Sequence, residues 1–340
     1  MMSPSLFQRF KAKFFLPLAI VAIVGYCVWL IITTLNPHLP QLDEEPRLYS
    51  NQCRQNLRYI YVDAIQKAKH SIHLVMFGLS DPSILSALAH RIHEEVPTVI
   101  YYDAAESSRV RNKLSHATLH PVQLGGLMHQ KILILDNDLI FIGSANMTTS
   151  SLMMHDNLVV GLRSRKVADF LMSRIPYSSG YLRTMVGGQD IELWLLPDSR
   201  GTALTDLRRQ IRKAGRSIKI ALFTLTHPNL CDEIIAAKER GVDVTIVVDM
   251  HSGLGASAKA IDQLRQNNVK ILYSQGVQLL HHKFVWIDGE TLICGSANWT
   301  KAAFNKNSDC ILALHHLTDE QRDFMKTLWH RIEAEAGAMH

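Results

Sequence analysis

Apolar and polar positions divide the chain into one long hydrophobic segment followed by short, regular elements. Residues 14–35 contain no charged side chain, and about 20 apolar residues are enough to cross a bilayer core as a helix. Short apolar runs of four to eight residues then alternate with stretches of helical periodicity, a pattern that predicts an α/β fold. We therefore expect an N-terminal transmembrane helix followed by an α/β region.

The charges beside the apolar segment predict its orientation. Arg9, Lys11 and Lys13 precede it, whereas Asp43 and Glu44 follow it. The positive-inside rule then places residues 1–13 in the cytosol and the remainder on the extracytosolic side. A cleaved signal peptide is the alternative, although its apolar region would be shorter and would end in small residues. Prolines in residues 36–48 predict a linker.

An internal duplication organises the rest of the chain. The segment KAKHSIHLVMFGLSDPSIL from Lys67 matches KAGRSIKIALFTLTHPNLC from Lys213, an offset of 146 residues, and the strands that end near Asp103 and Asp249 keep it. Between the strands, helical periodicity predicts helices over residues 84–94 and 230–240. Strand, helix and strand in this order predict parallel pairing. We expect two similar α/β halves, residues 49–185 and 186–340, that pack as a pseudo-dimer with a site at the seam.

The later parts of the two halves match at an offset of 152 and carry the polar residues of interest. MHQKILILDNDLIFIGSANMT begins at Met128, and LHHKFVWIDGETLICGSANWT begins at Leu280. Each segment predicts a β-hairpin with polar residues at both ends. The shared positions are His129, Lys131, Asp136, Gly143, Ser144 and Asn146 in the first copy and His281, Lys283, Asp288, Gly295, Ser296 and Asn298 in the second.

This set of side chains suits a phosphodiester. Two lysines neutralise the non-bridging oxygens, one imidazole attacks phosphorus and the other protonates the leaving oxygen, so neither a metal nor another cofactor is required. The asparagines can donate amide hydrogen bonds, the serines can support them, and the glycines permit close backbone approach. We interpret Asp136 and Asp288 as structural residues that bond their own turn backbone.

The two motifs resemble the HKD motifs of the phospholipase D superfamily, and the resemblance covers about residues 50–335. The second half is similar to the compact branch that includes a bacterial endonuclease and a mitochondrial outer-membrane member, which carry one motif and dimerise. With both motifs in one chain, no obligatory protein partner is implied. The resemblance implies a covalent phosphohistidine intermediate and a carboxylate that orients the histidine of the opposite half. Asp309 matches that position, whereas the first copy has Asn157 there, beside Asp156.

The resemblance leaves the substrate open. A phospholipid phosphodiesterase that works by hydrolysis or transphosphatidylation is favoured by the membrane segment and by weak net charge: residues 41–340 hold 33 basic and 31 acidic side chains. A nuclease for single-stranded nucleic acid is the alternative, with Lys301 and Lys306 as the residues to examine. A cardiolipin-synthase-type phosphatidyltransferase is the second alternative. The expected partners are therefore a phospholipid bilayer and a phospholipid, or a nucleic acid.

Overall fold

The computed structural model describes residues 21–27, 38–114, 116–198 and 200–337. Residues 21–27 are helical with exposed side chains; the other residues of the predicted transmembrane segment, 14–20 and 28–35, lie outside the described residues. Within the described ranges, no helix combines the length and apolarity needed to cross a membrane. Residues 39–340 form one compact unit, and they contain both predicted halves.

Each half is built on a mixed sheet. The first sheet has seven strands, which are β1 (Arg47–Tyr49), β2 (Ile72–Met76), β3 (Thr98–Asp103), β4 (Thr118–Val122), β5 (Lys131–Leu135), β6 (Leu139–Gly143) and β8 (Val159–Arg163). The second has nine, which are β9 (Gly180–Val186), β10 (Gln189–Leu195), β11 (Ser217–Leu222), β12 (Asp243–Val248), β13 (Lys270–Ser274), β15 (Lys283–Ile287), β16 (Thr291–Gly295), β17 (Cys310–Leu314) and β18 (Ala336–Gly337).

The two sheets repeat one strand order. The first runs β1-β8-β6-β5-β2-β3-β4, and the second contains β10-β17-β16-β15-β11-β12-β13 with β9 and β18 added at its edges. The strands β2, β3 and β4 are parallel, as are β11, β12 and β13, while β2 and β11 pair antiparallel with the motif strands β5 and β15. The predicted α/β class, the duplication and the parallel pairing are confirmed.

Helices cover the sheets. They are α1 (Leu57–Lys67), α2 (Pro82–His93), α3 (Thr149–Met153), α4 (Arg165–Met172), α5 (Thr202–Lys213), α6 (Pro228–Glu239), α7 (Met250–Leu254), α8 (Ala258–Gln266), α9 (Lys301–Asn305) and α10 (Asp319–Ala334), with 3-10 turns at Asn51–Cys53 and Val110–Asn112. The expected helices 84–94 and 230–240 begin two residues earlier. Each has a proline at its first position, where a missing N–H has no cost.

The expected boundaries of the halves shift at two edge strands. Strand β1 begins inside the expected linker, because it pairs with β8 and buries Leu48 and Tyr49. Strand β9 crosses the expected boundary at residue 185, because it pairs along its whole length with β10 and so belongs to the second sheet. Pairing to a neighbouring strand, rather than the linker composition, decides where each half begins.

The core has three layers of apolar side chains. One cluster lies under the helices of each half, and a third draws on both halves. This central cluster joins Ile132 and Ile142 of the first sheet to Phe284 and Leu312 of the second. The two halves are therefore held together by a shared hydrophobic core, as the pseudo-dimer prediction requires.

The motif aspartates lie in the hairpin turns but bond elsewhere. Asp136 accepts hydrogen bonds from the backbone of Lys69, His70 and Ser71, and Asp288 accepts them from Gly215, Arg216 and Ser217. These bonds are to backbone N–H groups, as a structural role would require, but they do not go to the aspartates' own turns as expected. Each carboxylate instead fastens the hairpin to the chain that enters the neighbouring strand, β2 or β11.

We expect Asp288→Ala to lower the free energy of unfolding by about 2–3 kcal/mol at pH 7, because three backbone donors lose a charged acceptor. Burial acts to raise the pKa of the Asp288 carboxyl, but the hydrogen bonds from Gly215, Ser217 and Arg216 lower it overall. The stabilisation is therefore present at neutral pH and is lost as the pH falls through this lowered pKa.

Urea unfolding of the wild type and the variant, at pH 7 and at acidic pH, measures the effect. Asp262→Ala is the control, because Asp262 is exposed on α8, and it should change stability by less than about 0.5 kcal/mol. An Asp288→Ala variant as stable as that control would contradict a fastening role for the carboxylate.

Candidate active site

Each motif histidine is attached to the opposite half of the chain through its backbone. The His129 N–H donates to the Ser308 carbonyl at 2.8 Å, and the His281 N–H donates to the Asp156 carbonyl at 2.9 Å. Around His281 this contact extends into a short parallel pair, β7 (His155–Asp156) with β14 (Leu279–Leu280). The two histidines therefore enter the seam related by the same approximate twofold symmetry as the sheets.

The side chains of the histidines are also held across the seam. The His129 Nδ1–H donates to Oδ1 of Asp309 at 2.7 Å, and Nδ1 of His281 lies 2.9 Å from Oδ1 of Asn157. The Asn157 Nδ2 donates to the carbonyls of Ser151 and His155, so its oxygen is the atom that faces His281. Both imidazoles thus carry their proton on Nδ1, which leaves Nε2 to meet a substrate.

The motif serines and glycines support this arrangement from behind. The Ser296 hydroxyl donates to Asp309 at 2.7 Å, and the Ser144 hydroxyl donates to Asn157 at 2.9 Å. Gly143 and Gly295 lie where the next strand approaches closely: a Cβ atom would fall 2.4 Å from the Leu158 oxygen or 2.1 Å from the Cys310 oxygen. The serines therefore hold the orienting groups, and the glycines allow the chain that follows each orienting residue to approach closely.

The two lysines are almost fully buried beside the histidines. Lys131 Nζ donates to the His129 carbonyl at 2.6 Å, and Lys283 Nζ donates to the His281 carbonyl at 2.9 Å. Burial is the main reason that the pKa of Lys131 falls to about 7, against the opposing carboxylates of Asp309 and Asp103. Burial and the neighbouring Lys131 lower the pKa of Lys283 well below its ordinary value. An anion in the seam would restore both charges.

The histidines differ in their electrostatic surroundings. Burial and Lys131 lower the pKa of His129, and the Asp309 carboxylate partly opposes that shift. Burial and Lys283 lower the pKa of His281 further, and the neutral Asn157 amide supplies no opposing charge. The duplicated site is therefore symmetric in shape and asymmetric in charge.

The motif asparagines flank this group. Asn146 Oδ1 accepts a hydrogen bond from the Gly78 N–H at 3.3 Å, which leaves its Nδ2 as a donor. Asn298 Oδ1 is buried and lacks a hydrogen-bond partner among the described residues. Both asparagines remain partly accessible, unlike the serines two positions earlier in each motif.

Two phenylalanines belong to the site although the motifs do not contain them. The Phe77 ring lies 5.2 Å from the His129 ring and 5.1 Å from Lys131 Nζ. Phe223 repeats the arrangement, at 5.4 Å from His281 and 5.3 Å from Lys283 Nζ. Each phenylalanine ring attracts the lysine ammonium group through its face and packs beside the imidazole. The sequence signal was present, since both phenylalanines occupy the same place in the repeat at an offset of 146.

The structure brings the predicted histidines, lysines and Asp309 together at the seam and adds Asn157 as a partner of His281. The sequence places Asn157 at the orienting position but leaves its pairing with His281 open, because an amide departs from the carboxylate that the resemblance implies there. Within the described residues, no group of three or more His, Cys, Asp or Glu side chains has the geometry to hold a metal ion. At the seam, the two imidazoles can act as nucleophiles or proton carriers, and the two lysines can bind one anion as cations.

A family model described as the cardiolipin synthase, PLD-like domain matches residues 61–175 and 207–332, one segment in each half. Relatives named mitochondrial cardiolipin hydrolase include the Xenopus laevis protein, which is 32% identical over 111 residues covering 33% of this chain and 52% of that protein. The Mus musculus protein of that name is 28% identical over 159 residues, covering 46% and 71% of the two chains.

A protein named phospholipase D from Rickettsia prowazekii (strain Madrid E) is 28% identical over 113 residues, covering 32% of this chain and 55% of its own length. This chain thus spans about half the length of several relatives that it matches.

Among solved structures, phosphatidylserine synthase from Haemophilus influenzae Rd KW20 has a TM-score of 0.69 and 13% identity, over 90% of both chains. That likeness shows the fold alone. The family match, however, covers most of the chain and includes both HKD-type motifs, whose residues meet at the seam. The chain belongs to the phospholipase D superfamily.

Proposed function

We propose that this protein is a membrane-anchored phospholipase D-type phosphodiesterase that cleaves phospholipid phosphodiester bonds through a covalent phosphohistidine. The observation that carries the proposal is the pair of histidines held across the seam, each presenting Nε2 beside a buried lysine. Lipid as the substrate is supported by the names of the relatives, mitochondrial cardiolipin hydrolase and phospholipase D. It is also supported by the apolar segment 14–35.

In the first step, the neutral His129 Nε2 attacks phosphorus as the bond to the leaving oxygen breaks. His281, protonated on Nε2, donates that proton to the leaving alcohol. Lys131 and Lys283 stabilise the charge that develops on the non-bridging oxygens. In the second step, neutral His281 removes a proton from water, the water oxygen attacks the phosphohistidine, and His129 is released.

The Asp309 carboxylate favours His129 as the histidine that carries the covalent phosphoryl group. A phosphorylated imidazole that keeps its Nδ1 proton carries positive charge, which a carboxylate at 2.7 Å stabilises. Asn157 stabilises a charged His281 less, so His281 is the weaker base and the stronger acid toward a leaving oxygen. The same residues transfer the phosphatidyl group when an alcohol replaces water, as the cardiolipin synthase description of the matching family model suggests.

A nuclease for single-stranded nucleic acid is the second candidate. The exposed lysines Lys301 and Lys306 on and after α9, close in sequence to Asn298, favour it because they could contact further phosphates. The nearly balanced charge of residues 41–340 weighs against it.

The anchor belongs to the proposal as well. Residues 14–35 would cross the membrane once, with residues 1–13 in the cytosol and the catalytic unit on the extracytosolic side. Protease treatment of sealed membrane vesicles tests this orientation, and digestion of the catalytic unit from the cytosolic side would contradict it.

The substrate class is tested by incubating the full chain, reconstituted in detergent micelles, with labelled phosphatidylcholine, cardiolipin and single-stranded DNA in parallel. We expect release of the lipid products and an intact oligonucleotide. His129→Ala is the matched control, since it removes the nucleophile and should abolish every activity of this site. Cleavage of DNA without turnover of either lipid would contradict the lipid proposal and support the nuclease function instead.

The division of labour between the histidines predicts where a phosphoryl group is trapped. With a p-nitrophenyl phosphodiester, whose leaving group needs no acid, His281→Ala should still accumulate a phosphohistidine at residue 129. His129→Ala should accumulate none. Rapid acid quench and mass spectrometry of the two histidine peptides locate the adduct.

A double exchange, Asp309→Asn with Asn157→Asp, moves the carboxylate to the other half and supplies the matched control. In this variant we expect the adduct on His281. An adduct on His281 in the wild type would reverse the assignment of the two roles.

The pH dependence tests the same asymmetry. The general acid must be protonated, so kcat/KM falls as the pH rises through the pKa of His281. Asn157→Asp places a carboxylate beside the His281 Nδ1 and should raise that pKa, moving the alkaline limb of the pH profile upward by about one to two units. Asp309→Asn should instead move the acidic limb downward, because it lowers the pKa of the nucleophile His129. An unchanged alkaline limb in a folded Asn157→Asp variant would exclude His281 as the acid.

A further inference from the structure

Four exposed apolar side chains lie on segments that lead into the seam, and we call them the mouth rim. They are Leu127, Met153, Met154 and Val277. Met154 is 60% exposed and Val277 is fully exposed. They come from three separate segments of the chain, each of which leads directly into a part of the site. Their position on the segments that carry the site residues distinguishes them from exposed apolar residues scattered elsewhere, which are common.

The contacts of the rim place it on both sides of the seam. Leu127 lies two residues before His129; its N–H donates to the Asn307 side chain, and its carbonyl accepts from Ser308. On the other side, Met154 precedes His155, whose ring lies 6.0 Å from the His281 ring.

Val277 lies on that same side, two residues before Leu279, which pairs with His155 in the strands β7 and β14. Both reactive histidines therefore have exposed apolar side chains on the segments that position them.

An apolar rim beside two buried lysines matches a particular kind of phosphodiester. A nucleic acid carries further phosphates on both sides of the reacting one, so basic and aromatic side chains would be expected there. A membrane phospholipid has its phosphate next to hydrocarbon, so cations and apolar side chains would be needed side by side. Lys301 and Lys306, exposed beside the Asn307 that contacts Leu127, add charge for anionic headgroups.

We propose that the mouth rim inserts into the surface of a lipid bilayer and so docks the catalytic seam on the membrane. This inference rests on the proposed lipid function and names the surface through which it acts. The apolar segment 14–35 supports it, because a chain anchored there keeps its catalytic unit within reach of a bilayer. Docking of this kind combines burial of apolar side chains with attraction between cations and anionic lipids.

The duplication provides a substitution that the fold already accepts. At the 152-residue offset, Met153 and Met154 correspond to Asn305 and Lys306, which end and cap the equivalent short helix of the second half. The double variant Met153→Asn with Met154→Lys therefore removes half of the mouth rim using the residues of the other copy. Met185→Asn is the control, since Met185 is 58% exposed on the edge strand β9, outside the rim.

Methionine oxidation measures docking independently of catalysis. The full chain is reconstituted in vesicles of phosphatidylcholine, with or without cardiolipin, and treated with hydrogen peroxide. We expect Met153 and Met154 to oxidise several-fold more slowly than Met185, and more slowly still with cardiolipin. Equal oxidation of the three methionines would overturn the proposal, as would protection by single-stranded DNA in detergent but not by vesicles.

Turnover provides the second readout. The rate on vesicle lipid, divided by the rate on a water-soluble nitrophenyl diester, should fall about fivefold in the Met153→Asn, Met154→Lys variant and stay constant in Met185→Asn. A constant ratio in both variants would contradict docking even if lipid is the substrate. Protection of the methionines without any lipid turnover would instead leave docking in place and remove the proposed function.

Discussion

Each histidine of the site depends on a residue of the other half of the chain, and most features of the structure follow from this dependence. Asp309 orients His129 and Asn157 orients His281, both through hydrogen bonds that cross the seam. A half by itself would leave its imidazole without an orienting partner and its apolar inner face without cover. The shared central core and the cross-seam backbone bonds therefore serve the chemistry as much as the stability of the fold.

The features that the sequence predicted well are those fixed by local pattern. The hairpins around Asp136 and Asp288, the parallel strands and the helices after Pro82 and Pro228 all follow from periodicity and turn chemistry that span a few residues. The repeat then aligned the two motifs. The positions of β1 and β9 could not be predicted in this way. Whether an edge strand forms depends on the neighbouring strand with which it pairs more than on its own three to seven residues.

The hydrogen-bond partners within the site also divide into those that the sequence predicts and those that depend on contacts between distant parts of the chain. The pairing of Asp309 with His129 was expected from family resemblance, whereas Asn157 was noted only as a departure, because pattern alone cannot show that an amide oxygen is held toward a histidine. That orientation depends on two carbonyls, of Ser151 and His155, that accept from the Asn157 Nδ2. The contacts of Phe77 and Phe223 likewise become visible only when strands β2 and β11 lie beside β5 and β15.

Joining two halves in one chain also allows the two copies to carry different residues at equivalent positions, which a dimer of identical subunits cannot do. In a dimer of identical subunits, a change beside one histidine is repeated beside the other, so the two cannot be adjusted separately. Here the copies differ at the orienting residue, Asn157 against Asp309, and at the rim, Met154 against Lys306. Since the reaction needs one histidine that stabilises a covalent phosphoryl group and one that gives up a proton, unequal copies suit it better than equal ones. The same inequality places methionines at the end of the repeated helix in one copy and Lys306 at its end in the other, so apolar and cationic side chains are both available for the proposed contact with a membrane surface.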